Sequence, residues 1–107
     1  MTTFDQREHA FEEKFARDEE LRFRVHARRN RLLGLWAAQH LGMKGPDAEK
    51  YAEALANADV AKFHDDELVA QIAADFKANG VAVGKDEIHR QMAKDLIAAK
   101  RHHAGGN

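Results

Sequence analysis

The stretch that decides the fold is LRFRVHARRNRLLGLWAAQHL, residues 21–41. Strong helix formers dominate it, and Gly34 is its only helix breaker. At 100° per residue its large apolar side chains fall on one face, which is typical of a helix that packs against a core. β-branched residues are scarce along the whole chain, so we expect its packing partners to be helices too. The apolar face is formed by Leu21, Val25, Leu32, Leu35 and Trp36.

Three further helices are predicted toward the C-terminus, separated by short clusters of glycine, proline and asparagine. The second helix begins at Pro46, where a missing N–H costs nothing. The third begins near Asp65 and stops at Asn79-Gly80, and the fourth begins near Gly84 or Lys85. Their apolar positions recur at helical spacing. These positions are Tyr51, Leu55 and Ala58; Leu68, Val69, Ile72 and Phe76; and Ile88, Met92, Leu96 and Ala99.

Toward the N-terminus, the first helix is predicted to continue back to Thr3, which gives one long helix from Thr3 to about Leu41. Thr3 and Gln6 have the spacing of a capping box at its start. We therefore predict an all-α protein, a four-helix bundle with a long first helix whose N-terminal part is loosely ordered when free. The predicted organisation is an N-terminal segment over residues 1–20, the bundle over 21–104 and a flexible tail over 105–107.

The two halves of this long helix differ in charge and in the direction of their apolar faces. Residues 1–20 hold seven acidic and three basic residues, a net charge of −4, whereas residues 21–44 hold six basic residues and no acid. Phe4, Phe11 and Phe15 lie roughly 80° around the helix from the core face. The segment either folds back on the bundle or is loosely ordered when free and forms a helix in the groove of another protein.

Composition excludes several classes of protein. A third of the 107 residues are charged, the mean hydropathy is −0.65, and no apolar run approaches the length of a spanning helix. Asp5, Arg7 and Glu8 fall where a secretory signal needs an apolar core, so we expect a cytoplasmic protein. The chain has no cysteine, which excludes disulfides and thiolate chemistry. A net charge of −1 argues against a general nucleic-acid binder.

A set of short motifs along the chain allows a comparison with a known family. They are Phe4-Asp5, Arg7-Glu8, Ala10-Phe11-Glu12, Lys14-Phe15-Ala16, Asp18-Glu19-Glu20, Ala27-Arg28-Arg29-Asn30, Leu32-Leu33-Gly34-Leu35-Trp36-Ala37-Ala38, Asp75-Phe76, Gly80-Val81 and Asp86-Glu87-Ile88. With this pattern the chain resembles, over nearly its full length, the zeta-subunit family of alphaproteobacterial F-type ATP synthases. Members of that family are small inhibitors of ATP hydrolysis.

The resemblance implies a function for the N-terminal segment. In this family that segment enters a catalytic α/β interface of the ATPase head, reaches toward the central stalk and blocks rotation in the hydrolysis direction. Carried over to this sequence, the inhibitory element is about residues 1–17, and the helices behind it form the anchor. The implied protein is a cytoplasmic regulator without a cofactor that reaches the membrane-bound synthase through its head. The implied partner-binding residues are Phe4, Asp5, Arg7, Glu8, Phe11, Glu12, Lys14 and Phe15.

An arginine cluster supports an alternative function, a helical module that binds nucleotides or nucleic acid. The cluster consists of Arg22, Arg24, Arg28, Arg29 and Arg31. A solvated helix face is the commoner explanation, and the acidic segment before it would repel a phosphate backbone. Arg28 falls on the apolar face, so we expect it to extend toward water or to pair with a carboxylate, Asp59 or Asp75.

Histidines suggest two further hypotheses. A di-metal site in a helical bundle needs carboxylate-x-x-His motifs on two helices, and only Asp86 and His89 have that spacing, so we predict no metal site. His9, inside the inhibitory element, and His26, near its junction with the bundle, could titrate near neutral pH and make inhibition pH-dependent. We find no pattern typical of catalysis.

Overall fold

The described residues, 3–57 and 64–105 of a computed structural model, form five α-helices and no strand, with side chains described from residue 6 onward. The predicted all-α class is confirmed for this part of the chain. The helices are α1 (Thr3–Arg17), α2 (Glu19–His40), α3 (Pro46–Asn57), α4 (Asp65–Ala78) and α5 (Lys85–Ala104).

The predicted single helix from Thr3 to Leu41 is wrong, because the chain breaks at Asp18. The backbone of Asp18 is extended, with φ −97° and ψ 103°, and its carboxylate accepts a hydrogen bond from the amide of Leu21 at 3.0 Å. Aspartate is among the preferred N-cap residues, and the acids Glu19 and Glu20 suit the positive end of the new helix. The segment predicted as one long helix therefore forms two helices, α1 and α2.

The other predicted helix ends are confirmed where the structure describes them. α3 begins at Pro46, and α5 begins at Lys85 after the N-cap Gly84. α4 begins at Asp65 and ends before Asn79-Gly80, where Gly80 has φ +71°, a conformation that costs glycine little. The predicted capping box depends on the side chain of Thr3, which lies outside the described residues, as does the whole of Ala58.

The core is built around α2, which packs against α3 and α5, while α4 packs against α5. Its buried side chains belong to four helices: Leu33, Ala37, Leu55, Leu68, Val69, Ile72, Phe76, Ile88 and Met92. The described residues extend over 47 × 27 × 27 Å. Although four helices share this core, a four-helix bundle is not confirmed. No described helix is both long and apolar enough to cross a lipid bilayer.

The buried face of α2 differs from the predicted one. Val25 is buried as expected, but Leu33 is buried in place of Leu32 and Leu35, which are half-exposed along with Leu21. Gly34, Ala37 and Ala38 are buried beside it. The reason is that α2 is covered from two sides, and α3 approaches so closely that only small residues fit. A Cβ atom on Gly34 would lie 2.7 Å from the Cα atom of Ala52.

Candidate partner-binding site

All eight predicted partner-binding residues lie on α1, the first helix of the structure. The side chains of Phe4 and Asp5 lie outside the described residues. Arg7, Glu8, Glu12 and Lys14 are exposed, and Phe11 and Phe15 are half-buried. The structure therefore brings the described members together on one short helix whose charges face solvent.

The two described phenylalanines lie side by side where α1 meets α2 and α5. Their ring centres are 6.1 Å apart in a stacked arrangement. The ring of Phe15 also meets His26 of α2 edge-on, with 6.0 Å between the ring centres. Neither ring is enclosed by the core, so both keep part of their apolar surface in water, where burial against a partner would stabilise a complex.

A shallow groove separates α1 from α5. Its apolar lining comes mainly from Phe11 and Ile97, and more than half of Ile97 is exposed. The charges at its edges have both signs. The remaining lining residues are Glu8, Glu12, Lys100, Arg101 and Ala104.

Two cations from other helices hold α1 in place. The ammonium of Lys100 lies 3.2 Å from a carboxylate oxygen of Glu12 and 4.6 Å from the centre of the Phe15 ring. The guanidinium of Arg22 donates to the backbone carbonyls of Phe15 at 3.1 Å and Ala16 at 2.7 Å. No sequence signal predicted the role of Lys100, because it lies 88 positions from Glu12.

The buried arginine is Arg29, whereas Arg28 is half-buried and has no ion-pair partner among the described residues. Arg29 is 4% exposed and donates to the carboxylate of Asp65 at 2.9 Å and to the side-chain oxygen of Asn30. Asp75, one of the two partners predicted for Arg28, instead accepts a hydrogen bond from the Tyr51 hydroxyl at 2.7 Å. The other predicted partner, Asp59, lies outside the described residues.

Most of the arginine cluster is engaged within the chain. Besides Arg22 and Arg29, Arg24 pairs with Glu20 and Arg31 pairs with Glu49. Guanidinium groups held by carboxylates and carbonyls have fewer donors left for phosphate oxygens. The alternative function, phosphate binding through this cluster, therefore gains no support from the geometry.

The histidines of the described residues have different surroundings. His9 is exposed and lies 3.2 Å from Glu13, one turn further along α1. Burial, followed by the nearby Arg29, lowers the pKa of His26. Among the described side chains, those of residues 6–57 and 64–105, no three histidine or acidic groups lie close enough together to hold a metal ion. Asp86 and His89 are exposed on α5.

The chain was compared with curated protein sequences and with protein families. No curated protein sequence matches it, whereas one family does. The family described as "ATPase inhibitor subunit zeta" matches residues 1–102, which covers all five helices apart from the last two residues of α5. Proteins of such a family are regulators and not enzymes. The chain belongs to the ATPase inhibitor subunit zeta family.

Proposed function

We propose that this protein inhibits ATP hydrolysis by the F-type ATP synthase by inserting its N-terminal segment, as a helix, into a catalytic α/β interface of the ATPase head. The observation that carries the proposal is α1 itself: a short helix with half-exposed phenylalanines and exposed charges, in a chain of the zeta family. The segment comprises residues 1–20, and the inhibitory element is about residues 1–17.

The side chains of α1 suit a helix-in-groove complex. Phe11 and Phe15 supply large apolar anchors, and a few such anchors carry most of the energy of an interface. The exposed Arg7, Glu8, Glu12 and Lys14 flank them and would fix the register against α, β and central-stalk subunits. Phe4 and Asp5 extend the same segment and belong to the proposed site. No cofactor or nucleic acid takes part.

The remaining helices serve as the anchor. Every core residue that the structure describes lies within residues 21–104, so this part of the protein keeps its packing when α1 leaves. Binding in a partner groove requires α1 to give up its contacts with α2 and α5, and this cost makes inhibition reversible. A rotary enzyme opens a given interface in only one part of its cycle. A helix seated there would therefore oppose rotation in the hydrolysis direction and leave synthesis largely free.

The test is ATP hydrolysis by the purified ATPase head, titrated with the full chain and with variants. Deleting residues 1–17 is expected to abolish inhibition while the helical circular dichroism of the remaining domain persists. Replacing Phe11 and Phe15 together with alanine is expected to raise the half-inhibitory concentration at least about 30-fold, since each anchor contributes more than about 1 kcal/mol.

Phe23 provides a matched control. It is more than half exposed on α2 and lies outside the proposed element, so Phe23→Ala should leave inhibition unchanged. Full inhibition by the truncated chain would refute the proposal, and so would equal losses for the Phe23 variant and the α1 variants.

A further inference from the structure

Lys100 of α5 contacts both a charged and an aromatic side chain of α1. Its ammonium lies 3.2 Å from Glu12 and 4.6 Å from the ring centre of Phe15. Its side chain is only 26% exposed, and partial shielding from water strengthens both contacts. Lys100 lies outside the segment proposed to bind the ATPase, so it can be substituted without changing the sequence of that segment.

Arg22 stabilises the break between α1 and α2. In an unbroken helix the carbonyls of Phe15 and Ala16 would accept from the amides of Glu19 and Glu20, four residues further on. Here both carbonyls accept from the Arg22 guanidinium instead, and Asp18 caps α2. The break between α1 and α2 therefore leaves these two carbonyls hydrogen-bonded, because Arg22 replaces the amides that would bind them in a straight helix.

The docked position of α1 withholds part of the apolar surface that a partner would need. Phe15 is covered by His26 on one side and by the Lys100 ammonium on another, and Phe11 faces the groove beside Ile97. A groove in another protein can enclose these rings only after α1 leaves α5. If only a fraction of the molecules has α1 released, the apparent affinity for the partner is reduced by that fraction.

We propose that these contacts form an autoinhibitory clasp, made of Glu12, Phe15, Arg22 and Lys100, that holds α1 on its own domain and lowers its inhibitory potency. The inference rests on the proposed function, because it concerns how the same segment is made available. Lys100 acts as a positioning residue: it holds Phe15 and Glu12 and contacts no partner.

The test compares Lys100→Gln with the wild-type chain, both full length. Glutamine keeps much of the aliphatic stem and removes the charge on which both contacts depend. In titrations of ATP hydrolysis by the purified ATPase head, the variant is expected to inhibit at an about 5-fold lower concentration, the effect of losing one weak ion pair and one cation–π contact. Lys77→Gln, an exposed lysine of α4, is the matched control and should change nothing.

A distance measurement separates the clasp from the function. The chain has no cysteine, so Ala10→Cys and Ala93→Cys, at exposed positions of α1 and α5, can carry a unique pair of spin labels. In the free protein, Lys100→Gln should lengthen and broaden the distance between them. Unchanged distances, or equal potency of two chains that both inhibit, would overturn the clasp alone. Absence of inhibition by every chain at saturation would refute the proposed function, and the clasp's regulatory role with it.

Discussion

Replacing Gly34 with alanine is expected to destabilise the protein, although alanine is the better helix former. Gly34 lies inside α2 and faces α3. The added Cβ atom would lie 2.7 Å from the Cα of Ala52, 3.1 Å from a methyl group of Leu55 and 3.3 Å from the Cβ of Ala52. The Leu55 methyl can rotate away, but the Cα of Ala52 belongs to the backbone of α3, so the two helices must separate.

The expected magnitude follows from two opposing effects. Glycine to alanine inside a helix contributes about 1 kcal/mol of stability. Overpacking a well-packed contact costs about 1–3 kcal/mol, and a contact with a backbone atom belongs at the upper end of that range. The net loss should be about 2 kcal/mol, which lowers the melting temperature of a domain of this size by about 8–16 °C.

Urea unfolding followed by circular dichroism measures this loss. The control is Ala70→Gly at an exposed position of α4, which should cost about 1 kcal/mol and so gives the helix-propensity effect in this protein without a packing contact. If Gly34→Ala raised stability by the same amount that Ala70→Gly lowers it, the close approach of α2 and α3 would be refuted.

Two further predictions concern the buried polar groups of α2 and α5. Burial raises the pKa of Asp95, and one of its carboxylate oxygens has no hydrogen-bond partner among the described residues. Because the folded state binds this proton more tightly, the contribution of Asp95 to stability falls as the pH rises above the ordinary aspartate pKa of about 4. Urea midpoints at pH 4 and pH 7 should therefore show Asp95→Asn gaining stability relative to the wild type as the pH rises, and parallel curves would contradict this. Arg29→Ala should lower the free energy of unfolding by about 2–3 kcal/mol in the same assay. The substitution leaves a cavity, and it deprives the buried side-chain oxygen of Asn30 of its hydrogen-bond donor. Asp65→Asn, at a mostly exposed partner, should cost about 1 kcal/mol or less, and equal losses would contradict the asymmetry.

Local signals predicted most of the helices correctly. Pro46 begins α3, Asn79-Gly80 ends α4, and Gly84 precedes α5. These features depend on hydrogen bonds between residues that lie within about four positions of one another, so a short window of sequence contains them. The break at Asp18 belongs to the same class: an N-cap residue followed by two acids was present in the sequence, but the continuous helical pattern around it concealed the signal.

The rotation of α2 about its own axis and the position of α1 could not be predicted in this way. One residue turns a helix by 100°, so a small error in the orientation of α2 exchanges Arg29 for Arg28 and Leu33 for Leu32. Which face is buried depends on α3 and α5 covering α2 together, and that is decided by packing among all three helices.

The sequence by itself determined the helical class, most helix boundaries, the family and the segment proposed to bind the ATPase. Only the tertiary structure decided that α1 lies on α5, with Lys100 beside Glu12 and Phe15. Contacts between residues so far apart in the chain depend on how the intervening helices pack, and hydrophobic periodicity does not carry that information.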